Sequence, residues 1–468
     1  MVLGPFVEVG VILGLLSGGT LINRDTHARF FLSPNNCDDD SNRLSSPNNR
    51  SPAPRNRSTY GYNDDTEAGR TDDEGIVMAG PESWQLHKFR LPSTSSASSA
   101  SSSTTALNES PLDPNKHYRT LRLWRWQYTV ASPNTEIFKD RLLSRVLRKF
   151  PFLVEAWYWA LIYWVYQLGR AFSALVIIDE SVVEAARRHA LQLVHLEKSL
   201  HLFVEVPIQQ YFMQSSTLMH WINRIYSFIH IPGTILFLIV LYYLTTTRPQ
   251  RLMQNALSSG VSPTRWRNVL DSYHPDLYEK RRRTMAMCNL LAFIIFTAWP
   301  CMPPRLLSDP NLASGLEAEG LDFGFVDTVH SATGESSVWT TNKFCNQYAA
   351  MPSLHFGYSF LIGLTIATMP LSSDNNHNRS GRPSLKRILV VIGALIYPAT
   401  ILVAIIATAN HFVLDAVAGA IICGLAWKIN GVLLNLLPLE DYFLWAVRIH
   451  KPSKVPTTHS YPKLRSAV

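Results

Sequence analysis

The stretch NQYAAMPSLHF, residues 346–356, opens one hydrophobic segment, and NHFVLD, residues 410–415, opens another. A helix needs roughly 20 apolar residues to cross the hydrocarbon of a bilayer, and both segments approach that length. Each carries a histidine at its mouth, His355 in the first and His411 in the second. Ionisable groups inside a span are costly, so they read as functional unless they merely join helices. Why two membrane helices should both begin with a histidine organises the reading of the rest of the chain.

Working outward, six spans are predicted, at 156–178, 225–246, 284–301, 353–370, 388–409 and 411–437. Open sheet edges cannot sit in lipid. The expected fold is an all-α membrane protein, a six-transmembrane-helix bundle over residues 150–440. Residues 1–115 are expected to be a disordered N-terminal tail. They are rich in Asn, Asp, Ser, Pro and Arg, and residues 93–105 read STSSASSASSSTT. Such a composition buries too little apolar area to offset its ordering entropy. Within the tail, the apolar run at residues 5–20 lacks a basic leader and contains Glu8. It suits neither a signal peptide nor a full span. Residues 116–149 hold nine Lys/Arg against two Asp/Glu, with Trp124, Trp126, Tyr128 and Phe138 among them. This juxtamembrane segment is expected to lie on an anionic cytoplasmic leaflet. Residues 441–468 form a C-terminal tail.

The net charge of +8 sits in a few short stretches and reads as a topology signal rather than a nucleic-acid footprint. Residues 248–283 carry eight basic and three acidic residues, and residues 371–387 four and one. Residues 302–352 carry two and six. The basic loops and both tails are therefore placed in the cytoplasm, and the acidic loop on the outer or lumenal side. His355, His411 and Arg305 fall on that lumenal face. Residues 179–216 fall there too, read as an interfacial helix broken by Glu197, Glu205 and Pro207. Five cysteines without CxxC spacing exclude a zinc finger and a dense disulfide framework. Cys301 and Cys345 bracket the lumenal loop, either as two thiols or as a bridge closing it.

Three elements at that face carry chemistry. His411 and Asp415 are four apart, the spacing of one helix face. An Asp that binds one imidazole nitrogen leaves the other as a nucleophile or base. The pair otherwise caps or joins helices. In Pro352-Ser353-Leu354-His355, Pro352 suits a first helical turn, Ser353 and the first-turn amides suit an anion, and His355 can protonate a leaving oxygen. Arg305, in MPPR at 302–305, grips a phosphate or snorkels to the interface.

Together PPRLL at 303–307, PSLH at 352–355 and HFVLD at 411–415 resemble the three motifs of the type 2 phosphatidic acid phosphatase superfamily. The second and third look most like its inositolphosphotransferase branch, which contains fungal inositol phosphorylceramide synthase. The resemblance implies catalysis by His411, His355 and Asp415, with Arg305 and Ser353 on the phosphoryl oxygens. It implies no cofactor and no metal, phospholipid and sphingolipid substrates, and a lumenal site in the endoplasmic reticulum or Golgi. Transfer of inositol phosphate from phosphatidylinositol to a lipid hydroxyl is the activity it implies. Lipid phosphate hydrolysis and a catalytically silent membrane scaffold are the alternatives. The chain departs from the pattern where Ala298 and Ile405 replace two cations and Leu306 replaces a proline. Arg170 and His230 are candidates for supplying the missing charge. No nucleic-acid partner is expected, and oligomeric state is left open.

Overall fold

The computed structural model describes residues 3–26, 28, 116–123, 125–176, 180–259, 276–309, 322–329, 347–369 and 384–452. The molecule is mostly helical. Helix α1 spans Leu3–Ile22, and a hairpin of β1 (Lys116–Leu123) and β2 (Trp126–Pro133) precedes α2 (Leu142–Lys149). Helix α3 runs Phe152–Val176, α4 Glu180–Ser199 and α5 Glu205–Met213. Helices α6 (Ser216–Arg224), α7 (His230–Tyr242) and α8 (Arg248–Ser258) are joined by π turns at Ile225–Ile229 and Tyr243–Thr247. Then come α9 (Leu277–Ala298), the short α10 (Pro304–Leu307), α11 (Leu354–Thr368), α12 (Leu385–Ala407), α13 (Val413–Ile429) and α14 (Leu437–Ala446).

Among the described residues, three helical runs are long and apolar enough to cross a membrane: Ser216–Asn255, Leu385–Ala407 and Val413–Ala446. Val7–Ile22 and Leu354–Thr368 are shorter apolar helices. The most extensive packing joins α11 to α12, with α9 and α11 both laid against α13. Glycines set those distances. A Cβ on Gly419 would strike the Ser353 carbonyl oxygen, and one on Gly363 would lie 2.6 Å from Ala394 O. The backbones of α11 and α13 are thus close enough for Ser353 N–H to donate to Asp415 O at 3.0 Å. That bond ties together the two stretches that open the hydrophobic segments.

Four expectations need correction. The chain is not wholly α-helical, because residues 116–133 pair as an antiparallel hairpin with Leu123 opposite Trp126. Thr, Tyr, Trp and Val in that stretch fit a pleated strand. Arg119 reaches Asp441 of α14 through Nε and Nη2, at 2.9 and 3.1 Å, so the basic hairpin is tied to the C-terminal helix. Trp126 and Tyr128 stay exposed.

Second, residues 3–22 are not tail. Helix α1 packs on α7 and α3, where Gly19 fits against Ile239 and Phe152. Thr247 Oγ1 donates to Asn23 Oδ1 at 2.6 Å, and Arg251 Nη2 donates to the Ile22 carbonyl at 2.7 Å. The rest of the 1–115 tail lies almost wholly outside the described residues.

Third, the Arg281-Arg282-Arg283 run is part of α9 rather than a loop. Arg281 covers the Trp427 ring at 3.2 Å, and Arg282 Nε lies 3.3 Å from Glu155 Oε2. Fourth, residues 180–213 form two helices, α4 and α5, rather than one, and α4 is packed into the bundle. Its Ala186, Ala190 and Val194 are fully buried in a cluster with Cys301, Met302, Leu307 and Phe412, and form a roof over the site. Cys301 is a free buried thiol. Cys345 lies outside the described residues.

Candidate active site

The segment after α9 delivers the arginine. Met302 N–H donates to Ala186 O of α4 at 3.1 Å, and Cys301 pairs with Ala349, so the strand-like approach is fixed from two sides. Arg305 then falls in α10, nearly buried. Its Nη1 donates to Asn410 Oδ1 at 2.8 Å and its Nε lies 3.2 Å from Asp327 Oδ2. Its backbone N–H donates to Ala409 O at 2.9 Å. A buried guanidinium held at two edges keeps a fixed fork for an oxyanion.

His355 is the second residue of α11. Ser353 is the N-cap of that helix, its Oγ accepting from Phe356 N–H at 3.4 Å. Pro352 precedes the cap instead of opening the first turn, which corrects the expectation for it. Ser353 is fully buried, so it acts on the site through the helix it caps. The amides of Leu354 and His355 lack intrahelical acceptors, as at any helix start, and both residues line the central cavity. The His355 ring stacks on Tyr226 at 4.7 Å and lies 5.1 Å from His230. His230 Nδ1 in turn meets Tyr397 Oη at 3.0 Å.

His411 sits before α13, not on it. Helix α12 closes through Ala409, whose φ of 50° is the left-handed conformation common at helix ends. The N–H groups of Asn410 and His411 both donate to Ile405 O, at 3.1 and 3.3 Å. His411 Nδ1 is 2.8 Å from Ala350 O. A carbonyl only accepts, so Nδ1 carries the hydrogen and Nε2 holds the lone pair. Asp415 was expected to orient this ring. Its Oδ2 is 3.5 Å from Nδ1 and instead accepts from Phe412 N–H at 2.9 Å. The orienting bond thus comes from Ala350, while Asp415 holds the turn and places negative charge behind the imidazole.

The two histidine rings are 5.7 Å apart. With Arg305 and Asn410 they sit at one end of a cavity of about 630 Å³. The cavity continues between α3, α7 and α9 past Trp159, Tyr163 and Ile235, as far as Arg282. The structure therefore brings His411, His355, Asp415, Arg305 and Ser353 together. Arg170 lies in α3, and its side chain is outside the described residues. Among the described residues, no group of three or more His, Cys, Asp or Glu side chains could hold a metal ion.

Five contributors escaped the sequence reading. Asn410 and Asp327 fix Arg305, the Ala350 carbonyl fixes His411, and the buried carboxylates of Glu197 and Glu205 cap α13. The two glutamates had a signal, being acids in an otherwise apolar run. The carbonyl had none, because every residue has one.

A rigid two-histidine, one-arginine site at the mouth of an apolar, aromatic-lined cavity belongs to an enzyme that handles phosphate esters within a helical bundle. The sequence profile of the PAP2 superfamily matches residues 191–262 and 268–429, half of the chain and all three motifs. The chain belongs to the PAP2 superfamily and is a membrane phosphatase or phosphotransferase. No curated protein and no solved structure matches it at a significant level.

Proposed function

We propose that this protein moves an inositol-phosphate head group from phosphatidylinositol to the hydroxyl of a second lipid, most simply a sphingolipid, through a phosphohistidine on His411. The observation that carries this reading is the 5.7 Å separation of the His355 and His411 rings on one largely apolar cavity. Two imidazoles at that distance bracket a single phosphorus atom, and the cavity suits an acyl-bearing substrate.

In the first step His411 Nε2 attacks phosphorus and a P–N bond forms. The P–O bond to the glycerol oxygen breaks, its electron pair leaves on that oxygen, and the proton of His355 satisfies it. Arg305 and the first-turn amides of α11 hold the equatorial oxygens as charge builds there. In the second step the acceptor hydroxyl attacks, its proton passes to His355, and the P–N electron pair returns to Nε2. Asp415 steadies the ring throughout. The bundle uses six spans at α3, α6–α8, α9, α11, α12 and α13, with α1 packed beside them. The site faces the lumen of the endoplasmic reticulum or Golgi.

If water takes the place of the acceptor, the same site is a lipid phosphate phosphatase. The test is product analysis of the purified full-length protein with labelled phosphatidylinositol plus ceramide, and separately with labelled phosphatidic acid. Label appearing on ceramide is expected. Release of inorganic phosphate from phosphatidic acid, with no label on ceramide, would replace this reading by the hydrolase.

A further inference from the structure

Behind His411, away from the cavity, three carboxylates from three elements close around the start of α13. Phe412 N–H goes to Asp415 Oδ2 at 2.9 Å, Val413 N–H to Glu205 Oε1 at 2.9 Å and Leu414 N–H to Glu197 Oε1 at 2.8 Å. All three acids are fully buried. Their other oxygens, Asp415 Oδ1, Glu197 Oε2 and Glu205 Oε2, meet no donor among the described residues. The two glutamates take consecutive amides of one turn, Val413 and Leu414, so their carboxyl groups lie side by side. Two acceptors that meet without a donor require a proton between them. Three full charges in an interior are also far costlier than two. One helix N-terminus supplies only about half a positive charge to set against them.

We propose that Glu197 and Glu205 share one proton and, as an acid pair, are positioning residues for His411. They clamp the turn 411–415 so that Nε2 keeps its aim into the cavity. They also hold the charge behind the imidazole at two carboxylates' worth rather than three. This rests on the phosphohistidine reading for its link to turnover, but the shared proton stands apart from it. The titratable groups facing Glu197 are Glu205 of α5, Asp415 of α13 and the Cys301 thiol. Burial, and then the adjoining Glu205, push the Glu197 carboxyl up to about 9. A carboxyl raised in the fold favours folding at low pH. Its contribution is full below the unfolded value of 4.5 and is lost as pH climbs through about 9.

The experiment compares Glu197→Gln, Glu197→Ala, Glu205→Gln and Glu205→Ala with the wild type, all full length. A glutamine keeps the oxygen for the helix amide and offers an N–H to the neighbouring carboxyl. Each alanine variant is expected to lose about 100-fold in kcat, the scale of a misaimed group, with KM little changed. Each glutamine variant is expected to keep most of that kcat, and Glu197→Gln to lose the alkaline fall of the wild type near pH 9. Infrared spectra should show a protonated carboxyl in the wild type at neutral pH, gone in Glu197→Gln. Glutamine as damaging as alanine, or an unchanged alkaline limb, overturns the proposal. Absence of the carboxyl band overturns it even if the alanine variants do not fold or the wild type turns over neither phosphatidylinositol with ceramide nor phosphatidic acid. A wild type that shows the band but no turnover of either lipid counts against the enzymatic reading alone.

Discussion

Two helix N-termini meet at the centre of this molecule, and they are finished in opposite ways. At α11 a single side chain, Ser353, takes one amide, that of Phe356, while Leu354 and His355, whose amides have no acceptor within the helix, line the cavity. At α13 the amides of Phe412, Val413 and Leu414 are each consumed by a buried carboxylate. An open N-terminus suits an anionic ligand. A closed one cannot bind a phosphate, but it immobilises the residue just before it. On the proposed mechanism, the open end at α11 is the one suited to the phosphoryl oxygens and the closed end fixes the turn that carries His411. The same sort of helix end is left open once and closed once.

The comparison breaks most visibly at His411. If His411 is the nucleophile, as proposed, His411→Ala should cost on the order of 10⁴-fold in turnover. Steady-state assays of the folded variant check this, and a loss under tenfold would move the nucleophile elsewhere. On the ligand side, Arg305→Lys keeps the charge and loses the fork that Asn410 and Asp327 hold. The expected fall in kcat is about 100-fold, as for one oxyanion donor. An unchanged rate would mean that Arg305 serves only its two partners.

The approach of the two helices is sharpened by Gly419→Ala. The new Cβ meets backbone, not a yielding side chain, so α11 and α13 must separate. A loss of roughly 1–3 kcal/mol in stability is expected, with a drop in kcat as the histidines part. Denaturant unfolding and turnover measured together would reveal whether the close contact matters. The smallest effect belongs to Ala409→Gly. Ala409 has a positive φ, which costs a residue with a Cβ roughly 1 kcal/mol. The variant's Tm should rise by about 2 °C, and a fall would mean that packing of the methyl outweighs the strain.

Much of this arrangement was legible in the sequence because hydropathy and motif order are local signals. The helices that begin at the two histidine stretches and the grouping of Arg305 with both histidines follow from residues 302–305, 352–355 and 410–415. What was not legible is long-range or generic. Helix α1 is apolar, yet only its seat against α7 explains why a segment containing Glu8 packs into the bundle. The hairpin at 116–133 read as a basic surface segment because its arginines masked its alternation, and its anchor, Asp441, lies far along the chain. The ring of His411 was assigned to Asp415 by spacing, but the chain starts α13 two residues late and Ala350 takes the bond. Glu197 and Glu205 stood out as acids without any hint that they meet behind one helix.

The most direct measurement is the bound intermediate itself. The purified protein is mixed with phosphatidylinositol labelled at phosphorus, quenched within one turnover, and mapped by mass spectrometry. Label in an acid-labile, alkali-stable bond on His411, absent from His411→Ala, is the predicted result. Label on another residue, or rapid turnover with no labelled protein at any quench time, would contradict the assignment of His411 as nucleophile.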